Sequence, residues 1–335
     1  MPEHGGGILR AARRYGIPPA EWLDLSTGIN PAGWPVPALP PSCWNRLPEE
    51  EDGLEQVAQD YYHAPLLLPV AGSQAAIQTL PRLRRPGRVG VLHPGFSEHA
   101  AAWRRAGHHV DAIAAERLEA AADTSDVLVL SNPNNPTGIR FPPERLLHWH
   151  RRLAARGGWL VVDEAFMDPT PEQSLCPHAG KEGLVVLRSL GKFFGLAGAR
   201  VGFVCADAPL LARLRGLLGP WHIATPARLV AAGALADHAW QRRARRRLAA
   251  GGRRLEELLR QSGLAPDGGC ALFQWAPTPR AREIQQRLAR HGILVRRFDD
   301  PPALRLGLPG DEQGWRRLHA ALARLQPPSP MEASQ

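Results

Sequence analysis

Between residues 52 and 205, short and continuously apolar runs recur at intervals filled by helix-like segments, and this alternation constrains the fold more tightly than any other feature. The runs are Leu66–Val70, Arg88–Leu92, Val110–Ile113, Val127–Leu130, Trp159–Val162, Leu184–Leu187 and Val201–Cys205. Stretches such as Val127-Leu128-Val129-Leu130 and Leu160-Val161-Val162 carry no polar residue on either face. A strand of that kind is covered by helices on both sides, which belongs to a mostly parallel α/β sheet. The fold class read from the sequence is therefore α/β, a large domain with a mostly parallel sheet flanked by helices.

The flanking segments read differently. Residues 16–48 are dense in proline and show no sustained period, as expected of an extended arm. The text from about Asp207 to Ser262 is helical and arginine-rich. Beyond it, strands are predicted over Gly269–Trp275, Ile293–Phe298 and Ala303–Leu308, and helices over Arg280–His291 and Glu312–Leu325, which makes a smaller α+β domain. The expected organisation is an N-terminal arm over 1–48 that joins the small domain, a large domain over 49–240, a C-terminal small domain over 241–326 and a disordered tail over 327–335. A chain of 335 residues is long enough for two such domains.

Lysine and arginine exceed aspartate and glutamate by 41 to 32, a formal charge of +9. The run Arg242-Arg243-Ala244-Arg245-Arg246-Arg247 is the obvious basic patch, but no helix-turn-helix, zinc-finger or RNA-binding signature accompanies it. A solvated helix face is the simpler reading, with no nucleic-acid partner. Cys43, Cys176, Cys205 and Cys270 are too dispersed for a metal pair or a disulfide scaffold, so no metal is expected and a reducing compartment is. No apolar stretch of about 18 residues occurs, and the first residues lack the pattern of a secretory leader. A cytoplasmic chain without a membrane partner is the expectation.

Four signals fall at the ends of predicted strands, where open α/β sheets place their ligands. Ser131-Asn132-Pro133-Asn134-Asn135-Pro136-Thr137-Gly138 follows a buried strand, and its Asn135 offers an amide at a rigid turn. Val161-Val162-Asp163-Glu164 ends an apolar strand in two carboxylates; Asp163 needs a cation or donors to offset its desolvation, and a protonated heteroaromatic nitrogen would serve. Ser189-Leu190-Gly191-Lys192 precedes Arg200 by eight residues, and Lys192 shares the whole chain with only one other lysine, Lys181. An amine nucleophile is a role arginine cannot fill. Ala71-Gly72-Ser73-Gln74 opens a helix with backbone N–H groups available to an anion.

In this order, Gly-Ser-Gln, Asn-Pro-Thr-Gly, Asp-Glu-Ala-Phe, Ser-x-x-Lys and the following arginine resemble the fold-type I pyridoxal phosphate (PLP) enzymes of the aminotransferase superfamily. The resemblance runs from about residue 4 to 325. It implies that Lys192 holds PLP covalently, that Asp163 pairs with the ring nitrogen and that Asn135 bonds the ring oxygen. Gly72, Ser73, Gln74, Ser189 and Arg200 would hold the cofactor phosphate, and Phe96 would stack on the ring. Two departures stand out. Many relatives have tyrosine where this chain has Phe166, and aminotransferase relatives often have one near Leu47 that reaches the neighbouring subunit's cofactor; Tyr61 or Tyr62 are the candidates to replace the latter.

More narrowly, His4-Gly5-Gly6, Ser26-Thr27-Gly28-Ile29-Asn30-Pro31, Asp163-Glu164-Ala165-Phe166-Met167-Asp168 and Leu304-Arg305-Leu306-Gly307-Leu308-Pro309 are similar to the branch of that superfamily that decarboxylates a phosphorylated amino acid for cobalamin synthesis. That likeness implies L-threonine O-3-phosphate as substrate and (R)-1-aminopropan-2-ol O-phosphate as product. It makes Arg305 the clamp on the α-carboxylate and His4, Asn30 and Arg296 candidates for the substrate end, with Arg296 near the phosphate. It further implies a homodimer, with the N-terminal arm as an active-site lid. The alternative is an aminotransferase of the histidinol-phosphate type, which shares the core. A PLP-sensing regulator on DNA is a third reading, weakened by a fold that starts within the first few residues.

Overall fold

A computed structural model describes residues 4–325; the expected disordered tail, 327–335, lies outside them. In chain order the elements are α1 (Ile8–Tyr15), β1 (Leu23–Asp24), α2 (Leu54–Tyr62), β2 (Leu68–Val70), α3 (Ser73–Thr79), β3 (Arg88–Leu92), α4 (Ser97–Arg105), β4 (His109–Ile113), α5 (Leu118–Thr124), β5 (Val127–Ser131), α6 (Pro143–Ala154) and β6 (Trp159–Asp163). They continue with β7 (Leu184–Ser189), β8 (Gly202–Cys205), α7 (Ala208–Leu218), α8 (Thr225–Ala236), α9 (His238–Gln261), β9 (Gly268–Cys270), β10 (Phe273–Pro277), α10 (Ala281–Arg290), β11 (Ile293–Leu294), β12 (Arg296–Asp299), β13 (Pro302–Gly307) and α11 (Glu312–Ala323). The chain divides into a larger unit, residues 33–135 and 139–245, and a smaller one, residues 4–32, 136–138 and 246–325 of those described.

The larger unit is built on a seven-stranded sheet in the order β2-β8-β7-β6-β5-β3-β4. β4, β3, β5, β6 and β7 run parallel, and β8 is antiparallel to both β7 and β2. The apolar runs are covered on both faces as their composition requires: Val127, Leu128, Val129, Leu130, Leu160, Val161 and Val162 are all buried. One face packs Val89, Val91, Val129, Val161, Val185 and Leu187 against Ile77 of α3, Trp103 of α4 and Leu210 and Leu214 of α7. Helices supply matching stripes. α4 buries His99, Ala102 and Trp103, and α6 buries Leu146, Trp149, His150 and Leu153, the spacing that puts side chains on one face. Each large apolar side chain buried in this way stabilises the fold by about 1.5–3 kcal/mol.

The smaller unit holds a four-stranded antiparallel sheet, β12-β13-β10-β9, and a two-stranded parallel pair of β1 with β11. α1 packs Ala11 and Ala12 against Trp22 and Ala289. Two strands expected as single are divided. Gly269–Trp275 is a hairpin, β9 turning into β10. Ile293–Phe298 is broken at Val295, so that β11 pairs with β1 while β12 pairs with β13. The domain boundaries also differ from expectation. Residues 33–48 of the arm cluster with the larger unit, and the later boundary falls at 246, inside α9, instead of at 241. An uninterrupted helical pattern carries no mark of where contacts change unit.

Candidate active site

The strand ends of the larger unit converge on a cavity of about 170 Å³. Ser131 and Asp163 are in-register partners at the ends of β5 and β6, and Ser189 ends β7; all three line it. The turn after β5 sorts its asparagines by use. Asn132 exchanges hydrogen bonds with the Phe141 backbone, donating to its carbonyl and accepting from its N–H, both at 3.0 Å. Asn134 donates to the Pro94 carbonyl at 2.9 Å. These two brace the turn, and Asn135 lines the cavity.

Asp163 is 5% exposed. Its Oδ1 accepts from the Ala165 N–H at 3.0 Å, and its Oδ2 lies 3.0 Å from Nε2 of His99, which is itself buried. An ionised carboxylate only accepts, so His99 is the donor. The partner that burial demanded of Asp163 thus includes a protein side chain that sequence reasoning missed. The available signal was a histidine on the buried stripe of α4, three residues after Phe96. The His99 ring meets Phe96 edge to face at 5.9 Å between centroids, and Phe96 lines the cavity.

Lys192 lines the same cavity as Asp163, Asn135 and Phe166, with its Nζ 5.3 Å from the centroid of the Phe166 ring. At the other end lie Ser73, Gln74, Ser189 and Arg200. Ser73 and Gln74 stand in the first turn of α3, where backbone N–H groups have no acceptor within the helix. Arg200 adopts the left-handed conformation with φ 54°, uncommon for a residue with a Cβ and concentrated at functional sites. Gly72 has φ 73°, and a Cβ there would come within 2.7 Å of the Arg200 guanidinium. The position must be glycine for Arg200 to close over this turn. A cradle of small residues, N–H groups and a guanidinium, with a lysine and a buried carboxylate across the cavity, fits a phosphorylated pyridine aldehyde.

The expected substrate-end residues all lie in the smaller unit. Arg305 is 5% exposed and donates to the Ser26 carbonyl at 2.5 Å. Burial, and then the charge of neighbouring Arg296, push its guanidinium down to about 10. His4 and Arg296 share a cavity of about 170 Å³ with Ser26, Arg10, Arg14 and Arg297. The two α1 arginines were not anticipated; their spacing of four residues on one helix face was the signal. Asn30 is not brought into that cavity. It lines another, of about 350 Å³, and its Oδ1 accepts from the Ala32 N–H at 3.1 Å and Arg247 at 3.4 Å.

Neither Tyr61 nor Tyr62, the candidates for a contact to a neighbouring subunit's cofactor, lines the cavity of its own chain. Tyr61 donates to Asp168 at 3.0 Å, and the Tyr62 hydroxyl is buried. Burial first, and then the charge of Asp168, hold both phenols well above their usual pKa. Leu47 is 62% exposed. All four cysteines are free and buried, and among the described residues no group of three or more His, Cys, Asp or Glu side chains is arranged to hold a metal. No described helix is long and apolar enough to cross a membrane.

The family described as aminotransferase class I and II matches residues 51–322. This chain belongs to that family. It is 57% identical to the threonine-phosphate decarboxylase of Pseudomonas aeruginosa, covering 98% of this chain and 99% of that protein. It is 32% identical to the histidinol-phosphate aminotransferase of Streptomyces avermitilis, over 70% of this chain and 68% of that one. The histidinol-phosphate aminotransferase of Sinorhizobium meliloti, solved in complex with pyridoxal-5'-phosphate, superposes with a TM-score of 0.84 at 22% identity, covering 96% of this chain and 94% of that one.

Proposed function

We propose that this chain is a PLP-dependent carboxy-lyase that converts L-threonine O-3-phosphate to (R)-1-aminopropan-2-ol O-phosphate and carbon dioxide, a step towards cobalamin, and that it works in the cytoplasm as a homodimer. The observation that carries the chemistry is one cavity shared by Lys192, Asp163 and Asn135 with the Gly72–Gln74 turn and Arg200 beside it. The near-full-length identity to a threonine-phosphate decarboxylase carries the choice of reaction.

Bound PLP supplies an electron sink for the pair left behind when a bond to Cα breaks. Lys192 would hold the cofactor through its amine. Asp163, braced by His99 and the Ala165 N–H, keeps a proton on the ring nitrogen. Asn135 would hold the ring oxygen, and Phe96 would wall the ring. Gly72, Ser73, Gln74, Ser189 and Arg200 hold the phosphate. Phe166 brings no hydroxyl to this cavity, which leaves the ring oxygen chiefly to Asn135.

The substrate end belongs to the smaller unit, with the N-terminal arm as its lid. Arg305 clamps the α-carboxylate in a two-pronged contact, and a carboxylate there offsets the burial of its charge. Arg296 and His4, with Arg10 and Arg14 beside them, would take the phosphate, while Asn30, which lines a separate cavity, is assigned to the substrate end by the family likeness alone. By holding the α-carboxylate, Arg305 would select the bond from Cα to the carboxylate as the one that breaks. Lys192 then returns one proton to Cα as general acid, so the product gains a hydrogen where the carboxylate was.

The homodimer is supported by apolar side chains left exposed on the larger unit, Trp44 at 70%, Leu47 at 62% and Trp221 at 58%. The second reading, transamination, draws on 32% identity to a histidinol-phosphate aminotransferase over 70% of this chain, against 57% over 98% for the decarboxylase. Product analysis separates the two. Threonine phosphate should give carbon dioxide and the amino-alcohol phosphate with no added keto acid; a reaction that needs 2-oxoglutarate and yields glutamate overturns the decarboxylase.

A further inference from the structure

A buried group of charges lies against the far side of the sheet and is not used in the chemistry above. The pleat turns Asp163 and Ser189 towards the cavity and their chain neighbours Glu164 and Arg188 the other way. Arg188, Glu164 and Asp168 are each no more than 1% exposed. Arg188 donates to Glu164 and to Asp168, both at 2.7 Å, and lies over the Tyr62 ring at 4.6 Å. Glu164 further accepts from the Ser174 hydroxyl at 2.5 Å and the Leu175 N–H at 2.7 Å. Burial disfavours the Arg188 charge, but the adjoining carboxylates, Asp168 foremost, outweigh it and hold the guanidinium protonated.

Two carboxylates against one guanidinium is an expensive arrangement, since well-packed apolar residues in place of a buried ion cluster are often as stable or more so. Stability alone is a weak reason for such a cluster, and its geometry offers another. Glu164 and Asp168 are the two ends of a five-residue segment whose Ala165 and Phe166 line the cavity. Arg188 grips both ends from β7, one residue before Ser189 and four before Lys192. The Glu164 N–H also donates to the Leu187 carbonyl at 2.9 Å, so the grip and the sheet ladder join the same two strand ends.

We propose that Arg188 is a positioning residue for the cofactor site. It holds the Glu164–Asp168 segment, and with it Ala165, Phe166 and the Asp163 carboxylate, at a fixed spacing from Ser189 and Lys192. The proposal rests on the reading that this cavity takes PLP. It is tested on the full-length protein by titrating apo-protein with PLP, by following the pH midpoint of the visible band, and by thermal melting.

The combined variant Glu164→Gln, Asp168→Asn, Arg188→Met removes all three charges and leaves none uncompensated. It should still melt cooperatively, bind PLP roughly tenfold or more weakly and shift the midpoint of the visible band by roughly half a pH unit or more. Arg188→Lys keeps the charge but loses the fork that reaches two carboxylates at once, and should move both readouts the same way by less. Wild-type affinity and midpoint in the combined variant, with change confined to the melting temperature, overturn the proposal. If that variant does not fold, Arg188→Lys and Asp168→Asn decide on the same two readouts, and unchanged values overturn it. A wild-type protein that shows no visible band with PLP refutes the cofactor reading instead.

Discussion

His99 and Asp163 meet as a buried pair, Nε2 to Oδ2 at 3.0 Å, across 64 residues of chain. The carboxylate that faces the cavity is therefore held by a donor behind it before any ligand arrives. The His99 ring in turn is set edge-on to Phe96. One helix, α4, thus ties the aromatic wall of the cavity to its acid.

Removal of the His99 donor takes away the side-chain hydrogen bond to Asp163 Oδ2 and leaves the Ala165 N–H on Oδ1. A hydrogen bond to a charged group contributes about 1.5–3 kcal/mol, so His99→Ala should lower kcat/KM by roughly ten- to a hundredfold. His99→Gln keeps a donor and should recover most of that loss. Steady-state kinetics and PLP affinity on both variants check it; equal loss in the two would show that ring packing, and not the hydrogen bond, matters.

Gly72→Ala should damage phosphate binding more than folding. The new Cβ meets Arg200 at 2.7 Å, and φ of 73° is strained for any L side chain. The conformational strain is about 1 kcal/mol or somewhat more, a few degrees in melting temperature, and displacement of Arg200 adds a loss of PLP affinity. Calorimetry and PLP titration on the variant measure the two effects separately. Unchanged PLP affinity would show that Arg200 does not serve the phosphate.

The strand-end acid, the strand-end lysine and the asparagine turn are legible in the sequence because each interrupts or ends an apolar run. His99 is not, because its role depends on a partner 64 residues away and its own surroundings read as an ordinary buried stripe. Arg188 offered a signal, a charge inside Leu184-Val185-Val186-Leu187-Arg188-Ser189, yet nothing in the local pattern names the two carboxylates that hold it. The smaller unit was read less sharply. The breaks at Val295 and between β9 and β10 fall at residues without glycine or proline, and a period of two cannot tell one bent strand from two short ones. The sequence around Tyr61 does not reveal its hydrogen bond to Asp168, whose partners lie 107 residues apart in the chain.

Arg305 gives the substrate end a pH signature. Burial lowers its guanidinium to about 10, below the unfolded value, so between that pH and the ordinary arginine range the unfolded chain binds more protons than the native one. Stability contributed at this site therefore rises with pH through that window, and affinity for an anion falls. Arg305→Met should raise KM sharply with kcat reduced, and should erase the loss of substrate affinity expected of the wild type as pH passes about 10. A variant that retains that alkaline loss would assign it to another group.

The central claim is that Lys192 is the amine that carries the cofactor, and the chain offers only one alternative, the exposed Lys181. Borohydride reduction of the PLP-loaded protein, followed by peptide mass spectrometry, tests it most directly. The account requires a single pyridoxyl adduct on the peptide containing Lys192, absent from Lys192→Ala together with the visible band and carbon dioxide release. An adduct confined to Lys181, or full decarboxylase activity in Lys192→Ala, would contradict it.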